Sequence, residues 1–93
     1  MVVGLAVWEL HLPGCASLKE KRRVVKSLKD RLHHQFNVSA AETAHHDVLQ
    51  RAELAVCVVS ADRGHADRVL RSADRLIDGE PRVRLIDLST VFY

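Results

Sequence analysis

RAELAVCVVSADRGHADRVLRSADRLIDGEP, residues 51–81, reads in order as a strand, a helix cap, a helix and a stop. Two alternating sets of side chains in the first part, Leu54, Val56, Val58 and Ala55, Cys57, Val59, are both apolar. A strand apolar on both faces belongs at the centre of a sheet. Asp62 is a suitable N-cap for the segment that follows, where Ala66, Val69, Leu70, Ala73, Leu76 and Ile77 recur at helical spacing. Gly79 and Pro81 then stop the helix.

The rest of the chain repeats that grammar. MVVGLAVWELHL (1–12) is rich in β-branched and apolar residues and is halted by Pro13–Gly14, so a strand is expected. Ser17 with Glu20 forms an S-x-x-E capping box, and Leu18, Val24, Val25, Leu28 and Leu32 make one stripe of a helix ending at Phe36–Asn37. NVSAAETA (37–44) is short and moderately polar, which suits a sheet edge. After the loop 44–50 comes the central strand, and VRLIDLSTVFY (83–93) is the last strand. The order βαββαβ is the split βαβ arrangement of ferredoxin-like α+β sandwiches: an antiparallel four-stranded sheet with two helices on one face. Right-handed crossovers place the first and third strands side by side in the middle.

At 93 residues the chain is expected to be one domain, 1–93, with enough core to fold without a metal or disulfide staple. No apolar run reaches the ~20 residues of a membrane span. The N-terminal stretch holds an acid and lacks the basic start of a signal peptide, so a cytoplasmic location is expected. Cys15 and Cys57 lack CxxC spacing; they read as an incidental loop residue and a buried small hydrophobe respectively.

The net charge of +2 hides an asymmetry. Residues 17–35 hold seven Lys/Arg against two acids, a local +5, while the remaining seven basic and ten acidic residues give −3. On a helical projection Lys19, Arg22, Lys26, Lys29 and His33 fall on one side as a ridge of about 20 Å, with Glu20 and Asp30 pointing elsewhere. The second helix differs, because Arg63–Asp67, Asp67–Arg71 and Arg71–Asp74 are spaced to pair. The ridge points to a polyanion; a solvated face or an acidic protein partner are the competing readings. Lys21 falls on the core-facing side and is expected to snorkel past the sheet end. With Lys19, Arg22 and the free N–H groups of the 13–17 loop it would form a small anion pocket.

At SLKEKR (17–22), FNVS (36–39), AETAHHDVLQRAEL (41–54) and VCVVS (56–60) the chain resembles the YlxP-like family, small bacterial proteins classed under a domain of unknown function. The resemblance runs over nearly the whole chain. It implies a compact ferredoxin-like domain without an established enzymatic activity. Its members tend to be encoded beside translation-initiation and ribosome-maturation factors, which suggests an RNA or ribosome connection. In that family an aromatic often precedes the Gln–Arg pair; here Leu49 precedes Gln50 and Arg51, so nothing could stack on that position. Gln50 and Arg51 either contact a ligand or anchor their loop.

With both helices on one sheet face, the other face is bare, and contiguous apolar surface there marks an interface. The expected interface residues are Trp8, as a large anchor, with Ala6, Leu10, Ala55 and Cys57, joining two copies of the chain. An RNA-recognition-motif platform does not fit, because its stacking aromatics are missing from the central strands. The six histidines lack the convergent spacing of a zinc site, so no metal is expected. No GxSxG, Cys–His pair or paired carboxylates in a cleft suggest an enzyme. The acylphosphatases share the topology but need a loop arginine and a water-orienting asparagine; the nearest residues here are Cys15, Lys19 and Asn37. The sequence therefore points to a non-enzymatic module with no cofactor, binding structured RNA or a ribosomal particle through Lys19, Lys21, Arg22, Lys26, Lys29 and His33. The alternative is a protein-interaction module that dimerises or docks a partner through an apolar sheet face.

Overall fold

A computed structural model describes residues 1–93. Its elements are β1 (Val2–His11), α1 (Leu18–Gln35), β2 (Ser39–Ala44), β3 (Arg51–Ser60), α2 (Arg63–Asp78) and β4 (Arg84–Phe92). The strands form one antiparallel sheet in the order β2-β3-β1-β4, with both helices on one face, as the βαββαβ pattern predicts. The caps behave as the residue types dictate. Ser17 Oγ accepts from the Glu20 N–H while the Glu20 carboxylate accepts from the Ala16 N–H, and Asp62 accepts from the Gly64 N–H. α1 ends one residue before the expected Phe36, which sits in extended backbone as its C-cap.

The core lies between the sheet and the two helices. Ala6, Trp8, Leu10 and Leu12 of the first strand and its exit face inward beside Ala52, Leu54, Val56 and Val58 of β3. The helices answer with Val24, Val25, Leu28, Leu32, Ala66, Leu70, Ala73 and Ile77. Each large side chain buried there contributes ~1.5–3 kcal/mol. Gly4 leaves room for its neighbours: a Cβ added to it would lie 3.0 Å from Leu70 Cδ1 of α2 and 3.1 Å from Val58 Cγ1 of β3.

Trp8 is wholly buried, and its indole N–H donates to Asp74 of α2 at 2.9 Å. The expected interface set of Trp8, Ala6 and Leu10 is therefore corrected, since all three lie on the helix-covered face. Ala55 and Cys57 do lie on the open face. The cysteines also exchange roles. Cys15 is buried, with its thiol pushed up chiefly by that burial, while Cys57 is half-exposed on the open sheet.

Two polar groups are sunk in this framework. Lys21, 1% exposed, meets Glu42 of β2 at 3.0 Å and donates to the carbonyl of His45. His45 carries a left-handed φ of 64°, and its carbonyl also accepts from the Val48 N–H. The lysine thus ties α1 to the turn after β2. Glu80, 5% exposed, accepts from Arg31 of α1 at 2.6 Å and from Arg82 at 2.8 Å, joining the first helix to the loop before β4.

Candidate nucleic-acid interface

α1 presents its outer face along the free edge of β2. Between them runs a groove lined by Arg22, Lys26, Lys29 and His33, with Asp30 and Glu42 as its acids. Helical spacing of three and four residues stacks these cations on one side, and the apolar stripe on the opposite side fixes the rotation of the helix. Lys19 lies one turn earlier, so Lys19 to Lys29 spans about 15 Å, a few phosphate spacings of one strand.

The ion pairs sort the cations. Lys21 is spent on Glu42, Lys26 on Asp30 at 2.7 Å, and Arg31 on Glu80. Lys19, Arg22, Arg23 and Lys29 remain without a carboxylate partner, Arg23 lying beside the 13–15 loop and not on this groove. The Lys26–Asp30 pair departs from the expectation that Asp30 points elsewhere; its Lys26 hydrogen bond chiefly draws the Asp30 carboxyl below its ordinary range. Both side chains are exposed, so the pair exchanges readily with water and other anions. His33 is placed on the ridge as expected, but its Nε2 accepts from the Ala40 N–H at 3.2 Å.

Lys21 is the second correction. Rather than snorkelling to water, its ammonium ends inside the molecule, where no phosphate reaches it. The anion pocket expected at residues 13–17 fails with it. The Glu20 carboxylate already occupies the N–H of Ala16, and Lys21 points away from that loop. What lies beside the loop is a recess of Pro13, Cys15, Glu20, Arg23 and Arg82. Arg82 is engaged there by Glu80, whose carboxyl its hydrogen bonds pull down to about 2.

Gln50 and Arg51 serve the sheet. The Gln50 carbonyl accepts from the Leu12 N–H, and Arg51 bonds Glu9 across the open face at 2.9 Å. Glu9 also faces the His45 ring at 3.2 Å; the Arg51 contact is the main reason its carboxyl is held below its ordinary range. Reading the sequence did not find the β2 side of the groove, nor Glu80. The groove requires knowing that β2 is the edge strand beside α1; Glu80 gave only an acid next to a helix stop.

Residues 3–90 match the family described as protein of unknown function DUF503. The chain belongs to that family. Among DUF503 relatives, it is 33% identical over 82 residues to the uncharacterized protein YlxP of Bacillus subtilis (strain 168), covering 88% of this chain and 89% of that one. The fold has solved counterparts in two de novo designed proteins. Foldit4 superposes with a TM-score of 0.60 at 12% identity, over 98% of this chain and 97% of its own. The design LFR1 1, described as having a ferredoxin fold, gives 0.55 at 17% identity, over 100% of this chain and 83% of its own. At such identities the likeness concerns the fold alone. Neither helix of this DUF503 protein is long and apolar enough to cross a membrane.

Proposed function

We propose that the protein is a cytoplasmic binding module that holds structured RNA, free or within a ribosomal particle, through phosphate contacts from the outer face of α1. The observation that carries this reading is the set Lys19, Arg22 and Lys29, unpaired on one side of one helix, with Lys26 in reserve behind an exposed and exchangeable pair. Glu42, the acid on the opposite wall of the groove, is already neutralised by Lys21 and does not repel an incoming phosphate. Recognition is phosphate-directed and nearly blind to sequence, because the groove offers no Phe, Tyr or Trp ring and few groups to read base edges. The gene neighbourhood of the family this chain resembles points the same way.

The test is fluorescence anisotropy of a labelled structured RNA titrated with the protein across a salt series. Three phosphate contacts at ~0.7–0.9 each predict a log–log slope of about −2 to −3. A slope near zero with tight binding would assign the affinity to something other than the α1 cations, and absence of binding at low salt would end the proposal.

A further inference from the structure

The register of the sheet divides its open face into two halves. Three rows run across it from β3 through β1 to β4: Val59, Val3, Tyr93; then Cys57, Leu5, Val91; then Ala55, Val7, Ser89. Ser39 and Ala41 of β2 extend the second and third rows. The next two rows are charged: Glu53, Glu9, Asp87, and then Arg51, His11, Arg84. Glu9 is paired with Arg51 and Glu53 accepts from the Thr43 hydroxyl at 2.7 Å, while Asp87 and Arg84 have no ionic partner, so these two rows keep their charge and belong in water. The apolar rows are covered by nothing: Val59 is 65% exposed and Val91 45%.

We infer that a second copy of this chain covers that face, with its strands antiparallel to the first and the two-fold axis running along the row of Cys57, Leu5 and Val91. The charge pattern selects this occupant. The three apolar rows, about six residues long on four strands ~4.8 Å apart, give a face of roughly 400 Å² in projection. That is below the ~800 Å² per partner of a standard-size complex and corresponds to a small, reversible dimer. A face-to-face pair has its axis in the plane between the sheets, and with the strands of the two sheets aligned two settings exist. An axis along the strands stacks the Glu53–Glu9–Asp87 row on its own copy, four or more carboxylates facing one another. An axis across the strands inverts the rows. Centred on Leu5 it sets the Val3 row against the Val7 row and leaves both charged ends outside as a wet rim, the anatomy of a homodimer.

That axis brings Cys57 opposite Cys57 of the second copy and Leu5 opposite its counterpart. The pair is a four-layer sandwich with the helices outside, so the two α1 ridges stay open on opposite flanks. The inference stands independently of RNA binding.

The experiment is sedimentation velocity of the full chain, joined to cross-linking with a short bismaleimide. The expected mass is twice the 10.4 kDa of one chain, with a cross-link that Cys57→Ser abolishes and that buried Cys15 does not replace. Leu5→Asp halves the mass. Val59→Arg, at a position already in water and therefore safe for folding, does the same, with circular dichroism unchanged. A single-chain mass at the highest soluble concentration overturns the inference and leaves the face to another protein. A dimer that survives both substitutions, or that forms no Cys57 cross-link, places the interface elsewhere and overturns it equally.

Discussion

The outer faces of α1 and α2 carry cations at similar intervals, yet they have different fates. In α2, Arg71 is paired with Asp67 at 2.8 Å, and Arg63 lies over the Phe92 ring, 4.6 Å from its centroid. Asp74, which by spacing alone should pair with Arg71, instead accepts from Trp8. In α1 one lysine turns inward, two cations find acids, and Lys19, Arg22, Arg23 and Lys29 are left over; α2 leaves only Arg68, and Arg75 on the Ser72 hydroxyl, without a carboxylate or ring. A count of charges along a helix does not separate these cases. What separates them is where partners fall: α2 has Asp67 one turn from Arg71 and the Phe92 ring under Arg63, while α1 has only Asp30 one turn from Lys26, and β2 offers only Glu42, which the inward lysine takes.

The sharpest way to break the comparison is at two adjacent residues of α1. Lys21→Ala leaves Glu42 unpaired in the interior and should cost about 3–5 kcal/mol in urea denaturation, whereas Arg22→Ala should change stability by less than about 0.5 kcal/mol. Replacing both partners, Lys21→Met with Glu42→Leu, should recover most of the loss. Equal effects at 21 and 22 would mean that Lys21 is not buried.

Glu80 tests the other cation spent internally. Its carboxyl lies near 2 against an ordinary 4.5, so the ionised form is favoured by folding. The stability this supplies is complete above pH 4.5 and disappears as pH falls toward 2. The displacement is equivalent to at most ~3 kcal/mol, and the half-exposed arginines reduce it to about 2. Glu80→Gln should therefore destabilise by about 2 kcal/mol at pH 7, and wild type and variant should converge in thermal melts as pH falls through that window. A gap that stayed constant with pH would separate Glu80 from this linkage.

The functional side of the comparison is read by charge reversal. Arg22→Glu with Lys29→Glu should weaken RNA binding by at least about tenfold at low salt and flatten the salt slope by about 1.5. Arg68→Glu with Arg75→Glu in α2 is the matched control and should change affinity less than about threefold. Parity between the two helices would return α1 to the role of a solvated face. Asp74→Ala, which strands the buried Trp8 N–H, should cost about 1–2 kcal/mol without touching RNA affinity.

The sheet shows most clearly what could be read in advance and what was misread. Both faces of β1 and β3 are apolar, so the assignment of Trp8, Ala6 and Leu10 to the bare side followed size alone. The discriminating signal was parity. Glu9 and His11 continue the set Val3, Leu5, Val7, and Arg51 and Glu53 continue Ala55, Cys57, Val59, so charge already marked the wet face. The inward run, by contrast, goes on through Leu12 without a charge. The cysteines were misread for the same reason: Cys57 follows the parity of the wet face, and the loop holding Cys15 folds against α1.

By itself the sequence determined the element order, the caps, the stripe each helix buries and the concentration of cations on α1. All of these depend on periodicities within a few residues, which local sterics and hydrogen bonding impose. The tertiary structure decided which sheet face the helices cover, that Lys21 and Glu80 are interior, and that β2 forms the far wall of the groove. Those outcomes depend on register and on contacts between residues tens of positions apart, where a side chain's partner is set by the packing of whole elements and not by its neighbours in the chain.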